Sequence, residues 1–284
     1  MSSLVALLLL AAGLGLVVAG AEAFLDGLLA SAARLGVSAF AITVAISGFE
    51  LENLAAGIAA NAKGLPGAAA GTFLGGTTFL ALGVSGLGAL IAPVKVRVRS
   101  AALAWTAAAP LPLVALGLDG SLSRIDGALL SLWFAIALTG LIRAGRDLLE
   151  PEEPERKRHP FAWLLGGLAV LTAGGELLAE GIRGAVDRLG ISQTLLGNTV
   201  VAASVEAEEV ARVAAPSRRG RGDLAIANIA GTIVHFAAFN AGVIALIDPL
   251  ELDAATRHLH LPVAAGATLA QRWRCAPPSG CATV

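Results

Sequence analysis

Three stretches of this chain, 4–20, 101–118 and 128–142, are apolar almost without interruption. They approach or reach the roughly 20 residues that a helix needs to cross hydrocarbon. In lipid every backbone N–H and C=O must be satisfied inside the protein, so only helices and closed barrels span. A barrel would need alternating segments of about 10 residues, and the sequence has no such alternation. Composition agrees: of 284 residues 56% are hydrophobic and 14% charged, with a mean hydropathy of +0.77. A soluble domain carries about 25% charge. The 34 glycines suit close helix packing in a bilayer. A net charge of −1 offers no footprint for nucleic acid. The reading is an all-α, polytopic helical membrane protein partnered by the lipid bilayer, with homo-oligomerisation open.

The chain repeats itself. Glu22, Asp26, Gly27 and Ser38 recur as Glu176, Glu180, Gly181 and Ser192, at an offset of 154. Gly75 and Pro93 recur as Gly231 and Pro249, at an offset of 156. Because the N-terminal stretch has a mid-chain counterpart and lacks a basic start, it is counted as a span and not as a signal peptide. Spans are expected near 4–31, 37–62, 66–92, 100–118 and 126–145, then 161–187, 192–215 and 223–247. Five spans per half place the halves in opposite orientations, an inverted-topology repeat. The expected organisation is a first repeat over 1–145 and a charged linker over 146–160. A second repeat over 161–270, three helices and a stub, and a polar tail over 271–284 follow. The second repeat thus reads as truncated at its C-terminal end.

Alternate loops carry thirteen Lys and Arg on one side and five on the other. The richer side, with the linker and the basic residues from Arg212 to Arg221, is expected in the cytoplasm, and the N-terminus outside. A multi-pass protein of the cell (inner) membrane is the corresponding localisation.

Carboxylates inside such runs are costly and mark function. Two motifs carry them, 47–53 with Glu50, Glu52 and Asn53, and 204–209 with Glu206, Glu208 and Glu209. On a helix, positions i and i+3 share a face, so Glu50 lies beside Asn53 and Glu206 beside Glu209. Glu52 and Glu208 lie about 160° round from the first Glu of each motif. Hard cations take six to eight oxygens, and two acidic helices meeting at a pseudo-twofold axis could supply most of them. The competing account is that the glutamates are protonated or pair with arginine. Small-residue segments follow each motif, 70–78 and 227–232, where Thr232 and Asn228 offer oxygens or simply serve packing. His235 is a proton relay or a hydrogen-bonded packing residue, the second more common. Glu22, Asp26, Glu176 and Glu180 could line an ion entrance or sit solvated at the interface. Cys275 and Cys281 complete no zinc spacing, and no cofactor is expected beyond a transported cation.

The segments 189–202 (Leu-Gly-Ile-Ser-Gln-Thr-Leu-Leu-Gly-Asn-Thr-Val-Val-Ala) and 218–232 (Arg-Arg-Gly-Arg-Gly-Asp-Leu-Ala-Ile-Ala-Asn-Ile-Ala-Gly-Thr) carry a resemblance. They are similar to the second repeat of the cation/calcium exchanger superfamily, membrane antiporters that trade Na+ or H+ against Ca2+. In that family a Gly-Thr-Ser-x-Pro-Glu helix precedes Gly-Asn-x-x-Gly-Ser-Asn. An ungapped match places Glu209 on the ion-binding glutamate, Glu208 on the proline and Glu206 on the serine. Asn228 falls on the asparagine, and Gly231 and Thr232 on Gly-Ser. In the first repeat the glutamate position falls on Asn53, with Glu50 and Glu52 beside it, and later ligand positions fall on Leu80 and Phe236.

The resemblance implies a secondary antiporter exchanging a cation, calcium foremost, against sodium or protons, with Glu50, Glu52, Glu206 and Glu209 as ligands. The altered ligand set motivates a rival, a transport-inactive relative with a structural or ion-sensing role. An intramembrane enzyme ranks last, because no metal motif or nucleophile–base pair appears.

Overall fold

The computed structural model describes residues 3–92, 100–145, 157–186 and 207–275. Almost all are helical, as hydrocarbon demands of the backbone. Among them six helices are long and apolar enough to cross a membrane: Leu4–Leu35, Pro66–Ile91, Ser100–Asp119, Arg124–Ala144, Pro160–Leu178 and Gly222–Ile247.

The chain forms two compact units that do not follow the sequence halves. The first holds α1 (Ser3–Leu35), α9 (Pro160–Val186) and α10 (Ala207–Arg218). Its centre is a glycine seam. Gly13, Gly20 and Gly27 stand seven residues apart on α1, and Gly167, Gly174 and Gly181 seven apart on α9. A Cβ on Gly20 would sit 2.5 Å from the Leu171 nitrogen, and one on Gly174 2.6 Å from that of Val17. Any side chain there would part the helices, whose backbones touch as small residues allow in lipid. Gly13 faces Leu178 while Gly27 faces Leu164, so the pair runs antiparallel. These helices are repeat equivalents at an offset of 154, and their opposed direction is the inverted topology.

The second unit holds α2 (Ala39–Ile46), α3 (Leu51–Ala62), α4 (Pro66–Phe79), α5 (Ser85–Ile91), α6 (Ser100–Ala108), α7 (Leu111–Leu116), α8 (Arg124–Ala144), α11 (Gly222–Val234), α12 (Ala241–Ile247) and α13 (Leu261–Cys275). Where one span is expected over 37–62, the chain breaks at 47–50 between α2 and α3. The expected span 100–118 is likewise split at Ala109–Pro110, since proline lacks the N–H that would continue the ladder. Trp133 Nε1 donates to the Ala109 carbonyl at 3.1 Å in that gap. Ser123 and Asp126 form a capping box that starts α8, two orphan donors met reciprocally. Asn61 Nδ2 donates to the Asp248 carbonyl at 2.9 Å, just beyond the end of α12. Ser121–Leu122 and Leu250–Glu251 add a short antiparallel ladder.

Two π-helical segments interrupt equivalent helices. Leu80–Val84 lies between α4 and α5, and His235–Asn240 between α11 and α12. Residues 80 and 236 differ by the repeat offset of 156, so both halves carry the same backbone device. A third π segment, Thr256–His260, leads into α13. Where the sequence suggests a stub ending at 270, α13 continues to Cys275. Gln271 Nε2 donates to Ser85 Oγ at 2.6 Å, directly after the first π segment, so the expected tail boundary falls inside a packed helix.

Candidate ion-binding site

The first acidic motif lies in the second unit, at the break between α2 and α3. Gly48 sits there because a Cβ would overlap the His235 side chain. Glu50 is therefore not inside a helix: it is the residue before α3, with φ −95° and ψ 84°. Its Oε2 still accepts a hydrogen bond from Asn53 Nδ2. The expected neighbourhood of Glu50 and Asn53 holds, as a first-turn contact and not as two positions on a continuous helical face. Both are half-buried. The side chain of Glu52, Glu206 and Cys281 lie outside the described residues.

Asn228, Thr232 and His235 lie on α11 and the π segment after it, all buried. Thr232 Oγ1 donates to the Asn228 carbonyl at 2.9 Å. A Cβ on Gly231 would lie 2.7 Å from the Val44 carbonyl, so α11 meets the end of α2 at a glycine. The second unit thus brings the first motif of one repeat against the Asn228–Thr232 helix of the other. His235 Nδ1 donates to the Gly231 carbonyl at 2.8 Å. Phe134 and Phe49 pack edge-on to its ring, with centroids 4.8 and 5.4 Å away. That is the geometry of a hydrogen-bonded packing residue.

The described part of the second motif, with Glu208 and Glu209, lies in the first unit, on α10. Glu208 and Glu209 are 7% and 2% exposed, and Arg212, one turn on, is 7% exposed. Arg212 Nη1 lies 2.8 Å from Glu209 Oε1, and Nη2 3.5 Å from Glu208 Oε2. Thr172 Oγ1 of α9 donates to Glu208 Oε2 at 3.2 Å. Glu208 also rests on Gly175, where a Cβ would lie 2.5 Å from its Oε1. The expectation that Glu208 turns away from the ligand face needs correcting in one respect. It does not leave the core but shares a guanidinium with Glu209. The cause is helical spacing: i+3 and i+4 from the two carboxylates coincide at position 212.

Sequence reasoning missed Arg212 because it counted this residue among the basic loop positions. Its signal was available in the i+3 and i+4 spacing. Glu22 and Asp26 are likewise paired. Arg219 donates to both carboxylates, and Lys157 Nζ lies 3.3 Å from Asp26. Lys157 also lies over the Trp163 ring, 4.5 Å from its centroid, so part of the expected loop is anchored. Among the described residues, no three His, Cys, Asp or Glu side chains gather to hold a metal ion.

Comparison with known proteins agrees with this architecture. CaxA of Alkalimonas amylolytica, named as a candidate antiporter, is 28% identical over 287 residues, covering 94% of this chain and 88% of its own. The inner membrane protein YrbG of Escherichia coli strain K12 is 29% identical over 267 residues, covering 88% and 82%. Among solved structures, the sodium-calcium exchanger NCX_Mj soaked with zero Na+ and Ca2+ has a TM-score of 0.78 at 23% identity. That match covers 96% of this chain and 95% of the other, and it shows a shared fold. The profile described as sodium/calcium exchanger protein matches residues 5–143 and 159–273, spanning both repeats. Apolar helices, inverted repeats and this match together make the chain a multi-pass membrane protein that belongs to the sodium/calcium exchanger family.

Proposed function

We propose that the chain is a secondary active antiporter that exchanges a cation, calcium foremost, against sodium or protons. Its ligands are the carboxylates of the two acidic motifs, chiefly Glu50, Glu52, Glu206 and Glu209, with Asn53, Glu208, Asn228 and Thr232 as further oxygen donors. The observation that carries this reading is the burial of Glu208 and Glu209 on α10 in a member of an exchanger family. Buried carboxylates are retained in a membrane protein where they bind something charged. Competition between sodium or protons and calcium for the same oxygens couples the two fluxes. It is a transporter and not an enzyme. The linker lies in the cytoplasm and the N-terminus outside, from the excess of basic residues on that side.

The test is flux in proteoliposomes, with Ca2+, Na+ and pH varied in turn. Glu209→Gln is expected to abolish exchange while insertion stays normal, because it keeps the shape but removes the charge that a hard cation needs. Wild-type flux unaffected by this change would defeat the reading.

A second reading has its own observation. Arg212 already compensates Glu208 and Glu209, which suits a transport-inactive relative. Absence of flux under every gradient would establish it.

A further inference from the structure

We infer that Arg212 is a tethered competitor for the transported cation and biases the second motif against divalent ions. The inference rests on the reading that the α10 carboxylates hold the cation. The guanidinium is bound at once to Glu208 and Glu209, and all three groups are buried. Among the described side chains these three leave one net negative charge where two carboxylates alone would leave two. Thr172, which donates to Glu208 Oε2, adds no charge of its own.

Arg212 is charged at every working pH, since guanidinium does not lose its proton in proteins. It cannot switch itself off as a lysine or histidine would. Its effect on an incoming ion is therefore fixed and scales with the charge of that ion. Repulsion between unit charges falls with distance and dielectric, and a divalent cation feels twice the energy that a monovalent one feels at the same place. Burial keeps salt from screening it. Arg212 thus weakens sodium binding by some factor and calcium binding by about the square of that factor. The residue sets selectivity through charge, without itself being a ligand.

The experiment measures the apparent affinity of the purified full-length chain for Na+ and for Ca2+ separately, by ion-dependent melting. Arg212→Gln is expected to tighten Na+ by about tenfold and Ca2+ by about a hundredfold, the order expected for removal of a unit charge from a semi-buried site. Arg212→Lys, which keeps the charge, holds the Ca2+-to-Na+ affinity ratio within about threefold of wild type. Glu208→Gln with Arg212→Gln restores one net negative charge and returns that ratio toward wild type. Equal gains for both ions in Arg212→Gln, or none, overturn the inference. Should Arg212→Gln not fold, the double variant decides the matter, because a ratio raised about tenfold there is incompatible with a charge effect. Glu209→Gln separates the two levels. If it leaves both ion responses unchanged, the proposed binding site fails. If it abolishes them while Arg212→Gln behaves as wild type, only the role of Arg212 fails.

Discussion

The two acidic motifs occupy matching places in the sequence repeat and solve the same problem differently. In the first, a half-buried carboxylate, Glu50, sits at a helix break and is met by the neutral amide of Asn53. In the second, two deeply buried carboxylates lie within a helix and are met by the full charge of Arg212. At the break the amide of Asn53, in the first turn of α3, donates to the Glu50 carboxylate. Glu208, packed on Gly175 and Thr172, instead shares with Glu209 a cation one turn further along the same helix. Equivalence by repeat therefore does not mean equivalence of charge.

This contrast can be broken most forcefully at Arg212. Replacing it with Met leaves two buried carboxylates without their cation, and removal of one partner from a buried pair costs about 3–5 kcal/mol. A large loss of thermal stability in ion-free detergent is expected, with partial recovery in Arg212→Lys. A neutral outcome would mean that the carboxylates are protonated in the folded protein and need no counter-charge.

The corresponding change in the first motif should be milder. Asn53→Leu removes one hydrogen bond to a charged group, about 1.5 kcal/mol at the low end of such bonds because Glu50 is half-buried. Melting of this variant beside Arg212→Met tests the contrast directly, and similar losses in both would erase it. Thr172→Val should have the smallest effect, at or below about 1.5 kcal/mol, the low end for a bond to a charged group, since that bond is long at 3.2 Å and Arg212 continues to hold Glu208. If Thr172→Val rivals Arg212→Met, the hydroxyl and not the guanidinium is the main partner of Glu208.

Of the expected spans, 37–62 is broken, and most of 192–215 lies outside the described residues. The other six, 4–31, 66–92, 100–118, 126–145, 161–187 and 223–247, and the inverted repetition could be read from sequence because both are carried by long patterns, hydropathy over about 20 residues and identity at a fixed offset. The breaks could not. Gly48 ends α2 next to His235, 187 residues further on, and no local periodicity records so distant a neighbour. The π segments are hidden for a related reason. One extra residue in a turn leaves composition unchanged while shifting later side chains by about 100° round the axis. Facing arguments carried past Leu80 or His235 at a period of 3.6 therefore drift. The acidic motifs were legible as candidates, because their apolar setting sets their carboxylates apart. Arg212 was misread because a charge near a span end looks like a loop residue until burial is known. The glycines of α1 and α9 were also open to view, seven apart in both helices, but glycine is so abundant here that their spacing drew no notice.

That seam also has a consequence in time. Gly20 on α1 meets Leu171 on α9, so the two surfaces are synthesised about 150 residues apart. At about 5–20 residues per second of synthesis, α1 exists for on the order of ten seconds before α9 has emerged. During that interval its glycine face lacks α9, and Glu22 and Asp26 lack Arg219, which follows later still. The first helix must therefore enter and hold its place on its own hydropathy, and its final packing waits for the second half of the chain to be made.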